Sequence, residues 1–443
     1  MNEITLNDFF ETEYVDFASY DLTRKISNYV DGQKNVTRKI LYTLREKNIN
    51  TFTKVSNPGP NIQEFSSYLH GALDGAIVNM TADYIGSGNN VPLLEGDGNF
   101  GSAFIPAPAA SRYIFARQND IIKSLFPKDD SVLLEEQWFE GDKIEPKYYV
   151  PTLPMMLVNG NEGMSIGYAQ KILPRDPKQV ARWVTQKASG KRLTARMDPY
   201  WKGMTCTVEQ GDNPAQWLIK GSIERKTKNQ FIITSIPVGY SLKQYQNVLD
   251  KLVDDKVIRN YDDLSDDDVF RFDVSCDKDF SSHDDEWILS KLKLIKTVTE
   301  NYTCIDRENR IIQFNSANEI LEAWWKVRLE FNQKRKDYVI DQLLQEAKEM
   351  DLKMIFIQGV IEGKIELRGN KEDVITKQCK DYFEELEPHV KRFMNLPMKV
   401  LTQEEIDRLK NKIKENEKEI TLWEAKTLEQ ISLDDVKNVE ASL

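Results

Sequence analysis

Residues 93–117 read LLEGDGNFGSAFIPAPAASRYIFAR. The first half clusters Gly96, Gly98 and Gly101 around Asp97, Asn99 and Phe100. Glycine has no Cβ and reaches positive φ freely, so this half predicts a tight loop rather than a helix or strand. A small-residue linker follows, interrupted by Pro106 and Pro108, and Ser111-Arg112-Tyr113 then opens an amphipathic segment. A tyrosine beside an arginine is ordinary alone, because most tyrosines are half-buried packing residues. A glycine loop, a small-residue linker and an Arg-Tyr pair in that order are less ordinary.

The chemistry available to such a pair is specific. A tyrosine hydroxyl, with a pKa of about 10, is a poor nucleophile until a neighbouring cation or metal favours the phenolate. Attack on a phosphodiester builds negative charge on the phosphoryl oxygens, and the permanently charged, fork-shaped guanidinium of Arg112 suits that charge. Arg24, Lys34, Arg38, Lys39 and His70 would complete a basic site if the fold gathers them, which sequence separation does not show.

Other chemistries lack their residues. There is no GxxxxGK[ST] nucleotide loop and no GxSxG nucleophile elbow. His70, His283 and His389 are too scattered for a metal cluster. Glu95-Gly96-Asp97 and Asp266-Asp267-Asp268 look superficially like carboxylate loops for Mg²⁺, but that ion needs converging oxygens, and an aspartate run in a polar segment reads as solvated surface. No metal ligand is expected on this chain.

The 443 residues suggest about two to four domains. With 40% hydrophobic and 30% charged residues, the composition is that of a soluble protein able to bury sizeable cores. The longest apolar runs, such as Met155–Val158, fall far short of a membrane span. The acidic start shows no secretory signal. Cys206, Cys276, Cys304 and Cys379 form no CxxC pair, which fits a reducing, cytoplasmic setting. A net charge of −11 argues naively against nucleic acid. Screening limits a charge's reach to roughly 8–10 Å, however, so the local field decides. Arg24, Lys25, Lys34, Arg38, Lys39, Arg45 and Lys47 outnumber Asp21, Asp31 and Glu46 near the N-terminus, whereas acid concentrates in 254–286. A basic surface on an acidic body is one reading of this, and a solvated helix face is the other.

Along the chain, residues 5–30 show helical spacing of Phe9, Phe10, Tyr14, Phe17, Tyr20, Leu22 and Ile26, an arm or interface helix broken at Asp31-Gly32. Thr37 to Arg45 predicts an amphipathic helix, and 62–80 a further one after the Asn57-Pro58-Gly59-Pro60 turn. Two helices, a turn and a glycine loop are compatible with a winged helix-turn-helix. Residues 147–174 read as strand-like pieces with turns at Asn159-Gly160 and Glu162-Gly163, and 175–315 as a separate α/β domain. Capping boxes at Ser316-x-x-Glu319 and Thr402-x-x-Glu405 start two long helices. Their seams, Ile320, Trp324, Val327, Phe331 and Ile406, Leu409, Ile413, Asn416, Ile420, Trp423, are expected to pair as an antiparallel coiled coil. Between them 350–401 forms a globular tip whose Met354, Ile355, Phe356 and Ile357 would serve contact with another molecule. A helical bundle within one monomer is the plainer alternative.

With these residues in view, the chain resembles the breakage-reunion subunit of type IIA DNA topoisomerases, the gyrase A and topoisomerase IV C family, and most of all the medium subunit found in large tailed bacteriophages. Leu94 to Ser102 is similar to the family's DGQGNFGS loop, and Ala109-Ala110-Ser111-Arg112-Tyr113 to its AAxRY segment. Asp31-Gly32-Gln33-Lys34 resembles the DGLKPVHRR helix start, with Arg24 where the family has its upstream arginine. Leu157-Val158-Asn159-Gly160 through Gly163-Met164-Ser165-Ile166-Gly167 resembles LVNGxxGIxxG. The resemblance implies a catalytic Tyr113 with Arg112, Arg24 and His70, DNA contacts from Lys34, Arg38, Lys39 and Asn159, and Met164 as an apolar wedge between base pairs.

The fold it implies is multidomain α+β: an N-terminal arm (1–30), a winged-helix DNA-cleavage domain (31–174), a tower domain (175–315), coiled-coil arms (316–349 and 402–430), a globular dimerisation gate (350–401) and a tail (431–443). Where the family has His-Pro-His-Gly this chain has Tyr68-Leu69-His70-Gly71, and Asn35 and Thr37 replace the usual proline and histidine after Lys34. The resemblance further implies a homodimer acting on double-stranded DNA in a bacterial host. A companion subunit would supply both ATP hydrolysis and the Mg²⁺ ligands. Relaxation or decatenation is expected rather than wrapping-dependent supercoiling, and low quinolone sensitivity follows from Ala72 and Leu73 after His70-Gly71. A non-catalytic winged-helix scaffold with a coiled-coil dimer interface is the alternative.

Overall fold

The computed structural model describes residues 5–56, 73–266 and 269–443. The chain divides into two compact units, Met1–Leu329 with Ser432–Leu443, and Glu330–Ile431. Helices and strands interleave up to Gln313, the chain is helical beyond it, and every named strand pair is antiparallel, a mixed α and β architecture.

In the first unit the arm is two helices, Leu6–Glu11 and Glu13–Lys25, because the backbone at Thr12 leaves the helical region (φ −119°, ψ −90°). The second ends before Asp31-Gly32, where Ile26 turns extended. Neither helix buries a residue, and Phe9, Phe10, Phe17 and Tyr20 stay exposed. The next helix, Asn35–Glu46, buries Ile40, Leu41 and Leu44 as its periodicity predicts. Thr37 Oγ1 accepts the Lys34 backbone N–H at 3.0 Å and so closes its N-terminus. Of the predicted 62–80 helix, Leu73–Thr81 is helical; the rest, and the 57–60 turn, lie outside the described residues.

The glycine segment is held by a three-stranded sheet in which Phe115–Gln118 runs between Leu94–Asp97 and Thr53–Lys54. Gly98 and Gly101 take the positive φ values (107° and 98°) that the loop reading demands. Gly96 lies in the strand instead, where a Cβ would come within 2.5 Å of the Phe100 ring and 2.6 Å of Thr81 Cγ2. Close approach, not φ, requires glycine there.

Three features of 147–174 differ from the sequence reading. Met155–Val158 is a fully buried helical turn. Asn161–Ser165 pairs with Tyr168–Ile172 as a hairpin whose turn falls at Ile166-Gly167. Glu162-Gly163, read as a turn, lies inside the first strand, and a Cβ on Gly163 would stand 2.0 Å from the Lys25 carbonyl oxygen.

Beyond it, a four-stranded sheet of Ser222–Thr227, Gln230–Ser235, Phe272–Ser275 and Asn260–Asp263 packs with the helix Leu242–Asp254. Phe231 and Ile233 alternate inward to meet Tyr245, Leu249, Phe272 and Val274. Ser241 and Gln244 form a full capping box, each side chain bonding the other's backbone N–H. A three-stranded sheet, Ile295–Thr299, Gln216–Lys220 and Thr207–Gln210, lies beside a buried polar knot. Arg175 and Glu300, both nearly inaccessible, pair bidentately (2.9 and 2.7 Å), and Glu300 also accepts from Trp217 Nε1, Tyr302 Oη and Leu173 N.

The helix Ala317–Ile361 opens on the predicted cap, though Glu319 reaches back to Asn315 rather than Ser316. Within the second unit, Gln403–Ala425 runs antiparallel to the later turns of that helix: Lys353 pairs with Glu405, Asn416 with the Leu343 carbonyl, and Lys336 with the Glu424 carbonyl. The partner of the second seam is thus not the 320–331 seam but 336–353. Ile406, Leu409 and Ile420 are buried while the positions between them are mostly exposed. Thr402 caps the Glu405 N–H, but the Glu405 carboxylate turns to Arg408 and Lys353 instead of closing a box. Phe356 and Ile357, expected at an outer contact, are wholly buried, Phe356 with Ile375, Cys379, Leu386 and Phe393. The 431–443 tail is helical over Leu428–Glu440, burying Ile431, Val436 and Val439, and Asp435 meets Arg328 at 3.0 Å.

Candidate functional site

Tyr113 closes a short 3₁₀ turn, Ser111–Tyr113, immediately before the chain extends at Ile114 (φ −117°, ψ 151°) into the central strand. The Tyr113 N–H donates to the Ala110 carbonyl at 2.8 Å. Ile114 is completely buried and its carbonyl accepts the Val55 N–H at 3.0 Å. The turn is therefore pinned on its strand side, and the tyrosine is left outward with 65% of its surface exposed. Arg112 curls back so that its guanidinium carbon lies 4.8 Å from the Tyr113 ring centroid. The glycine loop backs this arrangement. Asn99 Oδ1 accepts the Gly101 N–H, the Asn99 carbonyl accepts the Ala109 N–H, and a Cβ on Gly98 would stand 3.0 Å from Ile114 and 3.4 Å from the Tyr113 carbonyl. An exposed phenol beneath a permanent cation, on a rigid strand mouth, is suited to attack on an anionic ester.

Arg24, Lys34 and Asn159 are brought together along one cleft of about 780 Å³. Lys34 donates from Nζ to the Glu162 carbonyl at 2.6 Å, and burial pushes its ammonium below the ordinary lysine value. Arg24 stacks 5.4 Å from the Tyr20 ring centroid. Asn159 spends both ends of its amide on Val91, accepting its N–H and donating to its carbonyl, each at 2.9 Å. These two bonds tie it to the cleft wall. Tyr113 and Arg112 do not line this cleft.

Arg38 and Lys39, read from sequence as DNA-facing, point elsewhere. Arg38 is buried and bidentate to Asp31 (2.8 and 3.2 Å), with further bonds to the Gln33 carbonyl and Asn35. Burial works against its charge, but Asp31 outweighs burial and holds the guanidinium above its usual range. Asp31 also accepts the Gln33 and Tyr149 N–H groups, so this pair sets the Asp-Gly-Gln-Lys turn that aims Lys34. Lys39 pairs at 2.7 Å with Glu145, both largely buried. An amphipathic pattern counts a cation as outward by default; a buried carboxylate from a distant segment reverses that, and sequence spacing carries no sign of it.

Met164 stands 77% exposed near the hairpin tip. The hairpin is braced below it: Ser165 donates to Asp21 at 2.6 Å, Lys171 exchanges two backbone bonds with Asn301, and Gln170 accepts from Ser27 and donates to the Thr303 carbonyl. His70 lies outside the described residues. Two cations that the sequence did not single out, Lys171 and Lys296, also line the cleft. Lys171 follows Met164 by seven positions on the same hairpin; Lys296 carries no local signal at all.

For a divalent metal the described residues do not fit. Glu95 gives its carboxylate to Arg117 at 2.7 and 3.0 Å. Among the described residues no three His, Cys, Asp or Glu side chains converge on a point that could hold an ion.

Residues 24–440 match the family model of the A-type chain of DNA gyrase/topoisomerase IV. Similar curated proteins include the mitochondrial DNA topoisomerase 2 of Dictyostelium discoideum, 27% identical over 95% of this chain and 34% of that protein. DNA topoisomerase 2 of Invertebrate iridescent virus 6 is 26% identical over 99% of this chain and 39% of its own length. The Bombyx mori DNA topoisomerase 2 is 31% identical over 85% of this chain and 25% of its own length. The chain thus spans well under half the length of these relatives. Among solved structures, the DNA-binding, cleavage and re-ligation domain of Plasmodium falciparum topoisomerase II superposes with a TM-score of 0.87 at 28% identity, covering 98% of this chain and 64% of that one. On the matched span, the fold and the motifs that frame Tyr113, this chain belongs to the gyrase A family of DNA gyrase and topoisomerase IV.

Proposed function

We propose that the chain is the DNA-cleaving and rejoining part of an ATP-dependent type IIA topoisomerase of a large tailed bacteriophage, acting in the cytoplasm of its bacterial host. Tyr113 Oη attacks a backbone phosphorus, a P–O bond forms to tyrosine, and the bond to the 3′ oxygen breaks. The 5′ end stays linked to Tyr113 and the 3′ hydroxyl is free; reversal reseals the strand. Arg112 stabilises the charge that develops on the phosphoryl oxygens, Arg24 and His70 assist, Lys34 contacts the backbone, and Met164 opens a base step and bends the duplex. Asp31 and Arg38 act as positioning residues for Lys34.

The observation that carries this reading is the exposed Tyr113 under Arg112 on a strand mouth, in a chain that also presents the braced Met164 hairpin. In the proposed organisation 31–174 is the winged-helix cleavage domain, 175–315 the tower, 316–349 and 402–430 the coiled-coil arms, and 350–401 a dimerisation gate, so that two copies cleave both strands and pass a second duplex. ATP hydrolysis and Mg²⁺ coordination belong to a companion polypeptide. No helix among the described residues is long and apolar enough to cross a membrane.

The test mixes the chain with its companion, Mg²⁺, ATP and supercoiled or catenated DNA. Relaxation and decatenation are expected, and Tyr113→Phe should abolish both while leaving DNA binding intact. Normal relaxation by that variant would sink the catalytic assignment in favour of a scaffold. Cleavage by this chain with Mg²⁺ but no companion would overturn the split site.

A further inference from the structure

The cleft holding Arg24 and Lys34 is charged out of proportion to its chain. Among the described residues its ionisable lining is Arg24, Lys34, Lys171 and Lys296 against Glu162, on a chain of net charge −11. Lys171 stands on the hairpin strand Tyr168–Ile172, and Lys296 on Ile295–Thr299 of the three-stranded sheet. We propose that Lys171 and Lys296 together form a phosphate site that grips the duplex backbone on the flank of the Met164 hairpin, an assignment that rests on the DNA-cleavage reading above.

Geometry carries it. The Lys171 backbone is fixed by two hydrogen bonds to Asn301, 2.9 and 2.8 Å, so the side chain emerges from a stationary point. Its carboxylate neighbour is Glu162, 3.5 Å away and 69% exposed, a loose surface pair that yields readily to a better anion. Lys296 is more enclosed. Its ammonium donates to the Val238 carbonyl at 3.2 Å and lies 5.6 Å from the Tyr240 ring centroid. At Gly239 the backbone passes so close that a Cβ would stand 2.8 Å from that nitrogen.

Burial, and then the charge of Lys171, push the Lys296 ammonium below the ordinary lysine value, with Glu162 only partly opposing them. Burial does the same to Lys34. The fold thus holds cations together against their mutual repulsion, an arrangement a bridging phosphodiester relieves. A phosphodiester fits better than a carboxylate ligand because several cations spaced along a groove match a repeating anion. Such contacts position the duplex and carry no base preference.

The test is the salt dependence of binding by the full-length chain to a short linear duplex, over about 50–200 mM potassium chloride. Each cation that meets a phosphate contributes about 0.9 to the slope of log K against log salt. The double variant K171Q/K296Q should lower that slope by about 1.8, equally on unrelated sequences, and K171R/K296R should restore it. The melting temperature and far-UV spectrum of K171Q/K296Q, read beside its slope and beside those of K171R/K296R, separate loss of contact from loss of fold. An unchanged slope, with a Tyr113-dependent covalent adduct in the wild type, overturns the phosphate site and leaves the cleavage reading standing. A lowered slope without any adduct supports the site and overturns the cleavage reading. No duplex binding by wild type overturns both.

Discussion

Replacing Gly163 by alanine should uncouple the Met164 hairpin from its support. A Cβ built on Gly163 lies 2.0 Å from the Lys25 carbonyl oxygen and 3.0 Å from its carbon. Carbon and oxygen ordinarily meet no closer than about 3.3 Å, so strand Asn161–Ser165 and the end of helix Glu13–Lys25 must part by roughly 1 Å. The obstacle is backbone, not the tip of a flexible side chain, and relief by rotamer change is closed. Overpacking of this kind costs about 1–3 kcal/mol. The shift also pulls Glu162 from Lys34 Nζ and Ser165 from Asp21, the bonds that brace Met164. A displacement of about 1 Å at a positioned group costs on the order of a hundredfold in rate.

G163A should therefore melt lower than wild type and cleave duplex DNA about a hundredfold more slowly in the presence of the companion. Gly75→Ala is the matched control, since among the described residues nothing lies within 4 Å of its Cβ and its backbone is helical; it should be neutral or stabilising by up to about 1 kcal/mol. If G163A melts and cleaves like wild type, the hairpin is not set by its contact with Lys25 and the reasoning fails.

Other consequences follow from the buried charges. Glu300→Gln leaves the Arg175 guanidinium, 1% exposed, without its counter-charge and should cost about 3–5 kcal/mol in urea unfolding. Arg38→Gln should cost a similar amount by stranding Asp31, while the salt dependence of DNA binding by the folded fraction stays unchanged; a lowered slope would return Arg38 to the DNA surface. In the second unit, hydrogen bonding from Arg408 and then contact with Lys353 hold the Glu405 carboxyl at about 2, against an ordinary 4.5. A depressed folded value means stability is fully present above the unfolded value and is lost as pH falls from about 4.5 towards 2. Glu405→Gln should flatten that part of the acid-unfolding curve, and an unchanged curve would show the contact to be idle.

Much of the fold was legible because local periodicity and tertiary burial agree. The Asn35–Glu46 helix and the Ile406-Leu409-Ile420 seam both appear where spacing predicts. Reading failed where a distant backbone supplied the constraint. Gly96 and Gly163 look like turn residues in a string of letters, yet both sit in strands because Phe100 and Lys25 press against them. The final helix Leu428–Glu440 escaped notice because its core side chains are few and its anchor, Arg328, is far away in sequence. At the site, Tyr113 and Arg112 stood out because their neighbours in sequence are also their neighbours in space. Arg38, Lys39 and Asn159 are implied as DNA contacts by the resemblance, and the structure bonds each to Asp31, Glu145 or Val91. Lys171 and Lys296 come to one cleft only through the sheet and the hairpin, a juxtaposition no single stretch encodes.

The most direct test of the central claim traps the broken duplex with denaturant and maps the DNA-linked peptide after proteolysis. The chain, its companion, Mg²⁺ and end-labelled duplex should yield a 5′-phosphodiester on Tyr113, absent from Tyr113→Phe. A covalent linkage on any other residue, or an undiminished adduct in Tyr113→Phe, would contradict the account.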